Sequence, residues 1–518
     1  MSGKETVDHV ATVTEGYAFA GPALELGALV VDGEAKADAA VRIPLAMVNR
    51  HGLVAGATGT GKTKTLQLMA EQLSAAGVPV LAADIKGDLS GLAVPGEPND
   101  KITVRAEDVG QEWSGLGCPV ELLALGGRGE GHPLRATITS FGPTLLAKVL
   151  GLNQVQESSL GLVFHFADKA GLPMLDLKDL RAVVQFLTSD EGKDELKELG
   201  GLARSTAGVI LRELIAFEDQ GADEFFGEPE FDTADLMRVD DSGRGIVSLL
   251  ELPQLQDQPR LFSTFLMWLL ADLFQELPEV GDIDKPKLVF FFDEAHLLFD
   301  DASKDFLDAI AQTVRLIRSK GVGVFFVTQT PKDVPGDVLA QLGNRVQHAL
   351  RAFTPEDAKA LKATATTFPN SPYDLEEVLT QLGIGEAVVT VLSDRGAPTP
   401  VAWTRLRAPQ SLMAPADPAV LAASMKASTL AGKYAEQVDR DSAYERLAAR
   451  LAKAPADPEP KAPSSSRKKK GSGGGARRPE QSTAEKVISS SAFKQAARSA
   501  AAVVGREIAR SIFGTRSR

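Results

Sequence analysis

Residues 56 to 63 read GATGTGKT, with glycine at 56 and 61, lysine at 62 and threonine at 63. The spacing G-x-x-x-x-G-K-[ST] is that of a phosphate-binding loop. Its glycines let backbone N–H groups close on phosphate oxygens, and a helix that starts at the lysine turns its positive dipole end toward the same anion. Gly56, Ala57, Thr58, Gly59, Thr60, Gly61, Lys62, Thr63 and Thr65 are therefore assigned to nucleotide binding. Lys62 is expected to neutralise the β and γ phosphates, and Thr63 to ligate Mg²⁺.

A second acidic element is needed, and KLVFFFDEAH supplies it. The apolar run Leu288 to Phe292 ends in Asp293 and Glu294. A buried strand with this ending sets Asp293 to hold the Mg²⁺ shell and Glu294 to act as general base on the attacking water. Having both favours hydrolysis over binding alone. Downstream, VGVFFVTQTP is another buried strand, and Gln329 at its end is placed to orient water or sense the γ phosphate. His296 receives no role. Asp84, Lys86 and Asp88 follow a further strand; lining the site and beginning a polar loop are equally open readings for them.

The elements that must hold these residues are legible as short apolar runs alternating with helical periodicity. Leu53 to Ala55 precedes the loop, and TKTLQLMAEQLSAAG continues it at helical spacing as far as Gly77. Runs at VPVLAADIKGD, GRGIVSLLEL and NRVQHALRAF join those above, and EAVVTVLSDRGAPTPVAWTRL reads as a hairpin turning at 394 to 396. Such alternation predicts an α/β fold with a mostly parallel sheet covered on both faces, its ligands at the carboxyl ends of the strands. The expected layout is a small β element at 1–45, the first part of the ATPase core at 46–105, a helical insertion at 106–240, and the second part of the core at 241–410. A helical extension at 411–452, a flexible basic linker at 453–483 and a basic amphipathic helix at 484–514 complete it.

A chain of 518 residues with 44% hydrophobic content has enough apolar surface for a large core. Its net charge of −13 is unevenly spread: residues 461–518 hold 14 Lys or Arg against 3 Asp or Glu, a surplus of +11, so residues 1–460 carry −24. In the final segment Phe493, Ala497, Ala500, Val504 and Ile508 recur at helical spacing beside Lys494, Arg498, Arg506 and Arg510. A basic helix of this kind fits an anionic membrane, nucleic acid, a partner protein, or packing on its own chain. Cys118 is the single cysteine, which excludes an internal disulfide, and the first residues lack a signal pattern. The expected location is cytoplasmic, with any membrane contact peripheral.

Taken in order, GATGTGKT, AADIKGD, FFFDEAH, IRSKGVGVFFVTQTP and ARSAAAVVGREIARSIFG resemble the HerA-like branch of the HerA/FtsK ATPases, in the bacterial group called DUF853 or YjgR-like. The resemblance spans most of the chain. It implies a RecA-like P-loop core, ATP with Mg²⁺, a homohexameric ring with nucleotide between subunits, and a translocase or helicase acting on double-stranded DNA. It further implies an arginine contributed from the neighbouring subunit, for which Arg318 matches best by position, with Arg345 and Arg351 as alternatives. Only 55 residues precede the loop, fewer than in HerA itself, and no winged-helix or zinc module is evident. A two-lobed DEAH-box helicase is excluded because no second lobe with its arginine-rich element is present. The rival reading is a nucleotide switch tethered by the basic helix to a membrane or partner.

Overall fold

The computed structural model describes residues 3–189, 192, 195, 201–252, 259–299 and 304–452. The expected linker at 453–483 and basic helix at 484–514 lie outside the described residues. Those described divide into two compact units, 3–135 with 229–437, and 136–228 with 438–452.

Twelve strands, all in the first unit, form one sheet among the described residues: β1 (Ala23–Val31), β2 (Glu34–Pro44), β3 (Gly52–Ala55), β4 (Val80–Asp84), β5 (Val120–Leu125), β6 (His132–Leu134), β7 (Val247–Glu251), β8 (Leu288–Phe292), β9 (Val322–Thr328), β10 (Asn344–Gln347), β11 (Glu386–Thr390) and β12 (Ala402–Leu406). Their order is β2-β1-β12-β11-β10-β3-β9-β8-β4-β7-β5-β6. From β10 to β6 every neighbouring pair is parallel. From β10 outward through β11, β12, β1 and β2 every pair is antiparallel.

Continuous apolar runs in β3, β4, β8 and β9 match their complete burial, since a parallel sheet covered on both faces has no polar side. Phenylalanines bind neighbouring strands on both faces: Phe291 lies 5.3 Å from Phe325, and Phe292 lies 5.5 Å from Phe326, between ring centroids. Burying each such ring stabilises the sheet by roughly 1.5–3 kcal/mol.

Two expected boundaries need correction. The region 1–45 is no separate β element: it opens with the helix Gly3–Gly16, and β1 and β2 extend the main sheet. β-Branched residues gave this opening a strand-like look, yet Val10, Val13 and Tyr17 are spaced for one helical face, and Val13 and Tyr17 are fully buried. The Tyr17 hydroxyl donates to the carbonyls of Val389 and Pro400, at 3.1 and 3.0 Å. The span 106–240 is likewise not wholly helical, because β5 and β6 add two parallel strands to the sheet. Glu121 interrupts the apolar run of β5, and its charge is met by Arg238 at 2.9 Å.

The second unit holds the helices Ile138–Val149, Gln154–Lys169, Leu177–Thr188, Arg204–Glu218 and Ala443–Ala452. Asn153 and Asp176 close the starts of two of them with reciprocal capping hydrogen bonds. Edge-to-face contacts among Phe141, Phe217, Phe225 and Phe226 fill its interior.

Candidate functional site

Parallel register gathers the chemistry-bearing residues at one edge of the first unit's sheet. Ala55, the last residue of β3, pairs with Thr328 of β9, so the phosphate-binding loop and Gln329 leave neighbouring strands side by side. Phe326 of β9 pairs with Phe292 of β8, which places Asp293 next in line. Phe292 in turn pairs with Ala83 of β4, setting Asp84 and the loop after it on the far side.

The loop is held shut by its own backbone and by β10. Gly59 and Gly61 take φ of +79° and +112°, conformations that favour glycine. A Cβ on Gly56 would stand 2.4 Å from the His348 Cβ. Lys62 is buried and donates to the carbonyls of Gly56 at 2.7 Å and Ala57 at 3.3 Å, which puts its ammonium within the ring of the loop. Burial lowers its pKa, against the opposing pull of the Glu294 and Asp293 charges. The Thr60 hydroxyl donates to the Ala57 carbonyl at 2.7 Å, while Thr58 and Gly59 are exposed at the tip. Thr63 is half-buried in the first turn of the helix Lys62–Ala75, whose opening amides have no partner within the helix. Phosphate oxygens fit that cradle.

Just past β8, Asp293 is 1% exposed, and its Oδ1 accepts the Glu294 amide at 2.9 Å. Its Oδ2 is buried and makes no hydrogen bond. Burial, then the adjacent Glu294 charge, pushes its pKa up to about 6. A cation's shell is the natural partner for such an oxygen, so the residues fit a divalent metal. Glu294 turns off the strand with φ +47°, a left-handed conformation uncommon outside glycine. Its Oε1 is paired with Lys86, whereas Oε2 is buried without a hydrogen bond, 3.4 Å from His296 Nδ1. Burial alone would raise this carboxyl, but the hydrogen bond and charge of Lys86 hold it below its ordinary value.

A family described as helicase HerA-like C-terminal matches residues 30–518. The chain belongs to this family. No curated protein matches it. The HerA-like chain is similar in structure to the bacterial conjugative coupling protein TrwBdeltaN70 in unbound form, at 16% identity over 79% of this chain and 94% of that one, with a TM-score of 0.51. It is also similar to plasmid coupling protein TrwB in complex with the non-hydrolysable GTP analogue GDPNP, at 17% identity over 77% and 99% of the two chains, TM-score 0.50. At these identities the likeness is one of fold, and the first unit is the α/β RecA-like core of a P-loop ATPase.

Of the other expected residues of the HerA-like chain, Gln329 reaches this edge of the sheet and the rest fall elsewhere. Thr65 is buried with its hydroxyl 2.9 Å from His348 Nε2 and 3.3 Å from the Gly61 carbonyl, so it braces the loop from behind rather than facing phosphate. Gln329 is exposed at the end of β9. Arg318 starts the turn Arg318–Lys320, ahead of β9 and thus at the opposite edge of the sheet, about 20 Å away by strand length. It cannot serve the nucleotide site of its own chain. Arg345 lies within β10, its Nη1 3.5 Å from the Thr367 carbonyl, and Arg351 is exposed just beyond β10.

Asp84 proves to be a loop cap, accepting the amides of Gly87, Asp88 and Leu89. Lys86 instead turns into the site. His348 was missed from the sequence: it follows β10 directly, against the loop and fully buried, and burial lowers its pKa to about 4, which keeps it neutral. The available signal was a histidine directly after a strand in NRVQHAL, which does not reveal that the strand pairs with β3.

Proposed function

We propose that this HerA-like chain is a Mg²⁺-dependent ATP hydrolase that works as a homohexameric ring moving along double-stranded DNA. The observation that supports hydrolysis is the convergence of Lys62, Asp293 and Glu294 on one sheet edge, with one oxygen of each carboxylate buried and without a hydrogen bond. Lys62 exchanges its loop carbonyls for the β and γ phosphates, and Thr63 and Asp293 Oδ2 would hold Mg²⁺, which would supply neutralisation of the phosphate charge. Glu294 Oε2 accepts a proton from the water that attacks the γ phosphorus as the bond to the ADP oxygen breaks, with Gln329 orienting that water. Arg318 acts in the site of the adjoining subunit.

DNA as substrate and the ring as assembly rest on membership of the family, and the fold shared with a coupling protein of conjugation supports them. Among the described residues no helix is long and apolar enough to cross a membrane. The test is steady-state ATPase with and without double-stranded DNA over a salt series, with Glu294→Gln as control. Stimulation that fades as salt rises, and a fall of roughly 10²–10⁴-fold in the control, support the reading. Turnover that needs Glu294 and ignores DNA at every salt concentration removes the translocase and leaves the hydrolase.

A further inference from the structure

Asp293, Glu294 and Gln329 all lie on the β8 and β9 side of the loop strand β3. On the hydrolase reading, a γ phosphate facing those acids leaves the nucleoside to emerge on the other side of the loop, over the end of β10 and the start of β11. Two segments on that side grip the loop's backbone. Ala57 N–H donates to the Ala349 carbonyl at 2.8 Å, and Gly385 N–H donates to the Thr60 carbonyl at 3.0 Å.

Those segments carry the two most exposed large apolar side chains among the described residues, Phe353 at 86% and Ile384 at 73%. Both are firmly rooted. Leu350 and Leu382 are buried in one small core with Leu361, Leu375 and Leu379, and Leu350 N–H donates to the Leu379 carbonyl. Arg105 donates to the carbonyls of Ile384 and Gly385, each at 3.0 Å. Phe353 immediately precedes Thr354, which caps the helix Pro355–Ala365. Phe353 is only four positions along the chain from the Ala349 bond to the loop, a reach of at most ~14 Å. Scattered exposed apolar side chains need no explanation, but these two sit on the two segments bonded to the loop, where a ligand held by the loop would meet them.

We propose that Phe353 and Ile384 form the seat of the nucleotide base, the aromatic ring stacking on the base and the branched side chain contacting it alongside. This rests on the hydrolase reading above. Stacking is tolerant of base identity because every base presents a π face, and neither side chain offers a hydrogen bond to a base edge. The seat therefore binds ATP and GTP with affinities within about threefold of each other.

The experiment compares full-length wild type, Phe353→Ala and Phe353→Trp in calorimetric titrations with ATP, GTP and inorganic tripolyphosphate, each with Mg²⁺, in a Glu294→Gln background that prevents turnover. Phe353→Ala is expected to bind ATP and GTP about tenfold more weakly and tripolyphosphate as before, and Phe353→Trp to restore nucleotide affinity. Equal weakening toward all three ligands, or no weakening toward ATP, overturns the base seat. A change in assembled mass with ATP affinity intact assigns the patch to contact with a second copy of the chain and also overturns it. A parent protein that binds neither ATP nor tripolyphosphate overturns the hydrolase reading, and the seat with it.

Discussion

At the scale of single residues, the site contains two kinds of information. Lys62, Thr63, Asp293 and Glu294 are legible because a phosphate cradle and a strand ending in two acids are local patterns that need no knowledge of the fold. Lys86 is of the other kind. It meets Glu294 across 208 positions of sequence, and only the pairing of β4 with β8 brings it there. By occupying Oε1 it leaves Oε2, which makes no hydrogen bond and lies 3.4 Å from His296 Nδ1, as the oxygen that would take a proton in the proposed hydrolysis, and Lys86 would then be a positioning residue. Lys86→Met is expected to lower kcat about tenfold with KM changed less than about twofold, and Lys86→Arg to recover most of the loss. A KM that rises with kcat unchanged would assign Lys86 to nucleotide binding instead.

At the scale of elements, the helix Lys62–Ala75 carries the loop at its start and is anchored further along. Glu71 accepts the amides of Gln410 and Ser411 and the Ser411 hydroxyl, all at 2.8–3.1 Å. Burial pushes its pKa up to about 7 from an ordinary 4.5. The folded chain thus keeps this proton at a pH where the unfolded chain has lost it. Stability from Glu71 therefore grows as pH falls from 8 through 7 and levels off near 4.5. Glutamine does not titrate, so the Tm of wild type relative to Glu71→Gln is expected to increase steadily between pH 8 and pH 5. A gap that does not change with pH would refute the raised pKa. Elements also account for the two misread boundaries. The opening is rich in β-branched residues while Val10, Val13 and Tyr17 keep helical spacing over only two turns, and β5 is broken by a glutamate whose partner, Arg238, is distant in sequence.

For the whole molecule, the placement of Arg318 at the opposite edge of the sheet has a direct consequence. An arginine about 20 Å from its own loop can stabilise phosphoryl transfer only in another copy of the chain. Lys62→Ala and Arg318→Ala are each expected to abolish turnover alone. If the chain assembles as the proposed ring, a one-to-one mixture is expected to set an intact Lys62 beside a neighbour's intact Arg318 at roughly a quarter of sites and to recover activity to that extent. Mixtures as inactive as either variant would exclude Arg318 as the shared residue and turn attention to Arg351.

The sequence by itself determined the chemistry and the class of fold. Glycine spacing, paired acids after an apolar run and alternating strand and helix periods are properties of contiguous residues, and each states a local physical requirement. Tertiary structure alone decided the strand order, and with it which side of the loop faces the acids, where Lys86 and His348 lie, and which edge holds Arg318. Parallel strands joined by long crossovers pair without regard to their distance along the chain, so no local pattern records which residues become neighbours.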